Sequence, residues 1–342
     1  MRLHSSVRHR TATAGLLAVV LLGIDPAFAC KLGVVATLPV TMRGLRPMTT
    51  AQVNGTDTPF MVDSGAFYSI MSGGTAKRLG IKVIPVSGDN FAIEGVGGTA
   101  MRDLAVIRDF RIAGQPIPKI PFLVDRTDHG DDAGEGGGLI GYNLLGIGDT
   151  EYDLAKGMIR LLRAEGCARE DLPFWTGPGE VSSELPLELP HEAQGEYVFS
   201  KVAPRLEATR IVTTIYINGK PIKAQLDTGA GQSVIGRAAA LGVGVDVTGP
   251  DARETGTVGG IGKRHVRRWS APVALVKIGD EEIRKASLTV IEQIFDRGDG
   301  VDMLLGADFF LTHHIFVARR LNKLYLTYNG GNVFQPWPAV AP

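Results

Sequence analysis

Apolar and polar positions alternate along the chain from Met48 into Asn54 and Gly55, and a second run then leads through Phe60 and Val62 to Asp63. Period-two alternation reads as a half-buried strand, and Asn-Gly between two such runs predicts a hairpin with a type I′ turn. The same device recurs as Ile215 and Ile217, then Asn218 and Gly219, then Ile222, Ala224 and Leu226 ahead of Asp227. Each aspartate stands eight residues past its turn glycine (63 − 55 = 8; 227 − 219 = 8).

The agreement continues downstream. Asp63 opens Asp63, Ser64, Gly65, Ala66, and Asp227 opens Asp227, Thr228, Gly229, Ala230. Ser69 and Ser233 both follow their aspartates by six, each ahead of an apolar pair. A short helical stretch is expected next, ending at Gly80 in one copy and Gly242 in the other, glycine being a common helix C-cap. Those ends lie 17 and 15 residues past the aspartates, which implies a two-residue indel. Glycine-rich turns come next, Gly95, Val96, Gly97, Gly98 and Val258, Gly259, Gly260, Ile261, Gly262, with strand-like flanks that suggest mobile hairpin tips. No helix opens after either cluster and no Gly-Lys-Ser/Thr follows, so a phosphate-cradling loop is discounted. Each copy closes on an apolar pair and glycine: Leu139, Ile140, Gly141, Tyr142, Asn143 and Leu304, Leu305, Gly306, Ala307, Asp308. The spans from aspartate to closing glycine nearly match (141 − 63 = 78; 306 − 227 = 79), which marks an internal duplication.

A chain of 342 residues exceeds the usual size of one core, which fits two domains. The expected organisation is a first lobe over 30–165, a Pro/Gly/Glu-rich linker over 166–205 with a short strand near Leu185 to Leu189, a second lobe over 206–330 and a tail over 331–342. Residues 1–29 differ in kind. Arg2, Arg8 and Arg10 precede the apolar run Gly15 to Ile24, and Ala27, Phe28, Ala29 follow as a small-x-small site. That is the pattern of a cleaved secretory signal, and the run is short for a membrane span. Export to the periplasm or outside the cell is expected, with no transmembrane segment in the mature chain. Cleavage after Ala29 leaves Cys30 first, where a lipid anchor is a further option, although Ala27 and Phe28 do not suit a lipoprotein signal. Cys167 is the other cysteine; a Cys30–Cys167 bridge and two independent thiols both remain open.

Lys plus Arg and Asp plus Glu each count 36, so no nucleic-acid or anionic-membrane partner is implied. Two carboxylates brought to about 3 Å cannot both ionise and so share a proton. One then takes a proton from a water while the other donates to a peptide carbonyl. Gly65 and Gly229 would allow the tight turn, and Ser64 and Thr228 could hydrogen-bond across the two loops. Ala66 and Ala230 carry no hydroxyl to donate to the carboxylates, so activity is expected at mildly acidic to near-neutral pH.

Both copies resemble retropepsin-type aspartic peptidase domains, over roughly residues 45 to 165 and 206 to 330. The whole is similar to the fused two-lobe arrangement of bacterial exported aspartyl peptidases. The resemblance implies a mostly β fold of two homologous closed β-barrel lobes with short helices and the active site between them. It implies Asp63 and Asp227 as catalytic residues, and Gly95, Val96, Gly97, Gly98, Val258, Gly259 and Gly260 as flaps over an extended polypeptide. Gly141, Asn143, Gly306 and Asp308 become its supporting apolar-glycine segments. No cofactor or metal is implied. No tyrosine lies near either flap, so a tyrosine hydrogen bond from one flap is replaced by two opposed flaps.

The acidic loop Asp128 to Glu135 lacks the alternating ligand spacing of a calcium loop and reads as solvated. His313 and His314 are neighbours in a strand, face opposite ways and read as structural. Two function classes stand: an endopeptidase, or a non-catalytic peptide-binding or assembly module with the same fold. The two copies pair either within one chain as a pseudo-dimer or across a homodimer.

Overall fold

A computed structural model describes residues 30–86, 92–125, 136–167, 172–177, 179–188, 210–294 and 300–334. The expected signal over 1–29, the acidic loop 128–135 and the end of the tail lie outside the described residues.

Both Asn-Gly turns form. Asn54 and Gly55 have φ of 51° and 76°, and Asn218 and Gly219 have 50° and 79°, the left-handed values a type I′ turn needs. Strands Arg46–Val53 and Thr56–Val62 pair antiparallel around the first turn, and Val212–Ile217 and Lys220–Leu226 around the second. Alternation along Thr56–Val62 sends Phe60 and Val62 inward, where Phe60 meets Phe110 and Phe122 at ring separations of 6.4 and 5.9 Å.

Each lobe is a barrel. In the second, Val212–Ile217, Lys220–Leu226, Met303–Leu305, Val234–Gly236, Glu281–Ile291 and Val266–Ile278 follow in order, and Val266–Ile278 pairs back onto Val212–Ile217 to close the ring. In the first lobe the strand equivalent to Val266–Ile278 is broken at Arg108 and Asp109: Gly98–Ile107 pairs with Ile120–Asp125, and Phe110–Ile112 returns to Arg46–Val53. The fold is mostly β, with two lobes.

The helix ends correct one expectation. The first helix, Gly73–Arg78, is followed by Gly80 at φ 61°, but in the second, Arg237–Gly242, the left-handed residue is Gly244 at φ 82°. Gly242 is the last helical residue, not the cap. Gly80 and Gly244 both lie 17 past their aspartates (80 − 63 = 17; 244 − 227 = 17), so the inferred indel vanishes. The hydrogen bonds agree, with Ile81 N–H donating to Ala76 and Val245 N–H to Ala240.

A six-stranded sheet joins the lobes, in the order Lys31–Pro39, Met158–Glu165, Asp149–Asp153, His313–Ala318, Lys323–Tyr328, Ser183–Pro186. Its order mirrors the duplication. Val40 N–H donates to Gly157 at one end, and Leu187 N–H to Asn322 at the other. Strand Ser183–Pro186 therefore holds in the second unit the place of Lys31–Pro39 in the first. The repeat starts inside the stretch expected as linker, whose Leu172 and Leu185 are buried. The first tail residues pack too, with Phe334 buried and stacked on Phe309.

At the seam of this sheet the two half-chains meet through charge. His314 puts Nε2 2.8 Å from Glu151 Oε1 and Nδ1 3.4 Å from Asp153 Oδ2, and Trp175 stacks on its ring at 4.2 Å. Arg160 clamps the same Glu151 with two nitrogens. Burial pushes the Glu151 carboxyl up, but the bonds from His314 and Arg160 outweigh it and hold that carboxyl below its ordinary range. His313 faces the other way, to Glu281 at 2.8 Å. His314 thus joins the two halves, and His313 packs within the second.

Cys30 and Cys167 are bonded to each other across 137 residues, which decides between the two options left by the sequence. The bridge ties the first strand to the end of the strand it pairs with. Cys167→Ser is expected to cost about 2–5 kcal/mol in urea unfolding, since closing so long a loop restricts the unfolded chain. Identical unfolding curves with and without reductant would contradict this.

Candidate active site

Asp63 and Asp227 sit at the ends of strands Thr56–Val62 and Lys220–Leu226, and each is fixed by the closing strand of its own lobe. Leu139 and Ile140 pair parallel with Met61 and Val62, and Asp63 N–H donates to Ile140 O at 2.9 Å. Leu304 and Leu305 do the same beside Gln225 and Leu226, with Asp227 N–H donating to Leu305 O at 2.9 Å. After the closing strands, Gly141 and Gly306 pass so close to the aspartate loops that a Cβ would come within 2.6 Å of Tyr68 and of Ala230. Asn143 and Asp308 then pin the serines six past each aspartate. Ser69 Oγ donates to Asn143 at 2.7 Å, Ser233 Oγ donates to Asp308 at 2.6 Å, and the two hydroxyls accept from Gly141 and Gly306 N–H.

The loops are bolted together across the lobes. Ser64 N–H donates to Thr228 Oγ1 at 2.9 Å and Thr228 N–H to Ser64 Oγ at 3.0 Å. The same hydroxyls donate onward, Thr228 to Val62 O at 2.7 Å and Ser64 to Leu226 O at 3.0 Å. All four bonds are buried and symmetric, so the hydroxyl pair locks the loops as the sequence suggested.

Gly65 and Gly229 serve their own turns and, beyond that, the opposite lobe. Neither Gly65 nor Gly229 has a positive φ. A Cβ on Gly65 would lie 2.3 Å from Asp227 Cγ, and one on Gly229 2.4 Å from Asp63 Cγ. Each is glycine because the opposite carboxyl occupies the space. The backbone N–H groups of Gly65 and Ala66 donate to Asp63 Oδ1 at 2.9 Å each, and those of Gly229 and Ala230 to Asp227 Oδ1 at 2.9 and 3.2 Å.

With both turns so held, the two carboxyls face each other, each lying where the other turn's glycine would carry a side chain. Burial, then the charge of Asp227, pushes Asp63 well above its ordinary value of 3.8. Burial raises Asp227 as well, opposed by the bond from Asp63 and the surrounding N–H groups. The pair therefore holds one proton between them, as close carboxylates must. Because the folded chain binds protons more tightly here than the unfolded chain, this contribution to stability is full below pH 3.8 and is lost as pH rises through the raised folded values. Asp63→Asn removes the charge conflict, so its melting temperature relative to wild type should be higher at pH 7 than at pH 3. An equal difference at both pH values would refute the shared proton.

The glycine-rich turns form two flaps, Ala92–Gly95 with Gly98–Ile107, and Arg253–Val258 with Val266–Ile278. Expected as mobile hairpin tips, they are tied to each other: Gly262 N–H donates to Val96 O at 3.2 Å and Arg264 N–H to Gly97 O at 3.1 Å. Gly97, Gly260 and Gly262 allow this approach, since a Cβ on any of them would strike the other flap's backbone at 2.7 Å or less. Gly98 continues the first flap at φ 118°, and Val258 and Gly259 lead into the second tip. The flaps also cross over. Val96 packs against the second lobe's cluster of Val234, Ile291, Ile294 and Leu304, and Ile261 against the first lobe's cluster of Tyr68, Ile70, Ile93, Leu104 and Leu123. Ile261 was not among the expected site residues, yet it is the apolar tip equivalent to Val96 (261 − 96 = 165; 306 − 141 = 165).

Among the described residues no group of three or more His, Cys, Asp or Glu is arranged to hold a metal ion, and no helix is long and apolar enough to cross a membrane.

The sequence profile of the aspartyl protease family matches residues 49–144 and, a second time, residues 213–309. The chain belongs to the aspartyl protease family. Each match spans one aspartate turn, one flap and one closing glycine, so the family's pattern occurs twice in this member. Among solved structures the chain is similar to basic 7S globulin from soybean, at 11% identity over 87% of this chain and 95% of that one, with a TM-score of 0.42. It is also similar to an aspartic proteinase from Irpex lacteus, at 13% identity over 87% and 97%, with a TM-score of 0.46. A comparison with curated proteins gave no match.

Proposed function

We propose that this aspartyl protease family member is an aspartic-type endopeptidase in which Asp63 and Asp227 activate a water against a peptide bond. The observation that carries the reading is the pair of carboxyls held face to face, each against the glycine of the other turn, with burial pushing both up. The deprotonated member takes a proton from the water, and the protonated member donates to the carbonyl oxygen. An extended polypeptide would lie between the dyad and the joined flaps, whose backbone groups can bond its main chain once the tips part to admit it. The raised pKa values support activity at mildly acidic to near-neutral pH.

The pairing within one chain makes this a pseudo-dimer, so specific activity should not change on dilution. The basic, apolar and Ala-x-Ala order of residues 1–29, together with the Cys30–Cys167 bridge, supports export to an oxidising compartment. A Cys30 sulfur in a disulfide cannot carry a lipid, which weighs against an anchor there.

The test is cleavage of an unfolded polypeptide by the purified chain from pH 3 to 8, beside Asp227→Asn. Cleavage lost in the variant supports the reading. Tight binding of the polypeptide without cleavage at any pH would leave a peptide-binding module instead.

A further inference from the structure

The two flaps are equivalent in fold but not in charge. Residues 253–268 hold Arg253, Lys263, Arg264, Arg267 and Arg268 against Glu254 alone, a net of +4 (5 − 1 = 4). The equivalent stretch, 165 residues earlier, spans 88–103 and holds Asp89, Glu94 and Asp103 against Arg102, a net of −2 (1 − 3 = −2). The whole chain has a formal net charge of zero, so composition does not account for this hairpin.

The cations sit beside the cleft. Lys263 and Arg264 are exposed at the tip, where the Arg264 backbone bonds the other flap. Arg268, at the flap's base, donates to Thr255 Oγ1 and O at 3.1 and 3.0 Å and reaches Gln232 Oε1 at 3.4 Å, and Gln232 stands five residues past Asp227 in the loop against Gly306. Arg267 and Arg237 share a single carboxylate, Glu292, at 3.0 and 3.2 Å, which leaves positive charge in excess along that edge.

We propose that the second flap selects polypeptides with acidic side chains on the side of the scissile bond that it covers. Lys263 and Arg264 meet a carboxylate from above, and Arg268 adds its charge from the side while its guanidinium stays on Thr255 and Gln232. This rests on the endopeptidase reading of the dyad. A row of like charge in a cleft raises the local concentration of oppositely charged ligand and speeds its capture, an effect that salt suppresses. The bland explanation is that opposite charges only hold the two flaps together; in that case the charge of the substrate would be irrelevant.

Three quenched fluorescent peptides test it, identical except for Glu, Gln or Lys at the positions flanking a fixed apolar pair. Expected is kcat/KM in the order Glu above Gln above Lys, with about tenfold between the extremes at low salt and little difference near 1 M NaCl. In Lys263→Gln/Arg264→Gln the Glu-to-Lys ratio should fall towards one. Equal kcat/KM for all three peptides in wild type overturns the inference while leaving the peptidase reading intact. A variant that slows all three by one common factor also overturns it, in favour of flap closure alone. Cleavage of no peptide overturns the peptidase reading and this inference with it.

Discussion

Asp63→Asn and Asp227→Asn are each expected to lower kcat by about 10²–10⁴-fold, the range a positioned proton-transfer group contributes. Asparagine keeps an acceptor oxygen for the N–H groups of Gly65 and Ala66, or of Gly229 and Ala230, so the turn survives. What is lost is the proton exchange, because an amide neither takes a proton from water nor shares one with its neighbour. The proposed function puts substrate contacts on the flaps and cleft walls, so KM should move little. The two aspartates act as one unit, and the double variant should be no slower than the worse single one. Steady-state kinetics on one peptide checks all three variants. Retention of more than a tenth of wild-type kcat in either single variant would remove that aspartate from the mechanism.

Thr228→Val is expected to destabilise the chain by about 2–5 kcal/mol, because it strands two buried backbone groups at once. Ser64 N–H loses its acceptor and Val62 O its donor, while the isosteric methyl keeps the volume. Ser64→Ala should act in mirror image through Thr228 N–H and Leu226 O. The two single losses should not add in the double variant, since both break the same interlock. Activity falls for a separate reason. The four bonds set how the carboxyls face each other, and a displacement of about 1 Å in such a geometry costs about 10²-fold in rate. Urea unfolding gives the stability term, and kcat measured where the variant is still folded gives the positioning term. A change below about 0.5 kcal/mol in the single variants would mean that water takes over the stranded groups.

Local chemistry was legible wherever it acts over a few residues. Asn54-Gly55 and Asn218-Gly219 demanded left-handed backbone and obtained it. The apolar alternation running into Asp63 and Asp227 set which strand faces are buried, and equal spacings matched Ser69 with Ser233 and the closing segment of Asn143 with that of Asp308, while the bonds between each serine and its closing segment came from the fold. The reading went astray where two local signals competed. Gly242 and Gly244 both suit a helix end, and only the bond from Val245 N–H to Ala240 O identifies Gly244 as the left-handed one. The short strand expected near Leu185 to Leu189 forms at Ser183–Pro186, but its place in the sheet was not legible, because its partner lies far along the chain at Lys323–Tyr328.

The sequence by itself determined two copies of a hairpin, an aspartate turn, a glycine-rich tip and a closing apolar-glycine segment, because those depend on backbone preference and period. Only the tertiary structure decided what the copies do to each other. Gly65 looks like a turn glycine until the Asp227 carboxyl, 162 residues away, is found in the place of its side chain (227 − 65 = 162). The flap tips look free until Val96 and Ile261 are seen packed into opposite lobes. Cys30 and Cys167 are bridged or independent by sequence until the first strand brings them together. Contacts of this range leave no periodic trace in a single chain, since each partner satisfies its own local rules whether or not the other is present. The aspartate turns were therefore readable as sequence, and the carboxyl seated against the opposite turn's glycine was not.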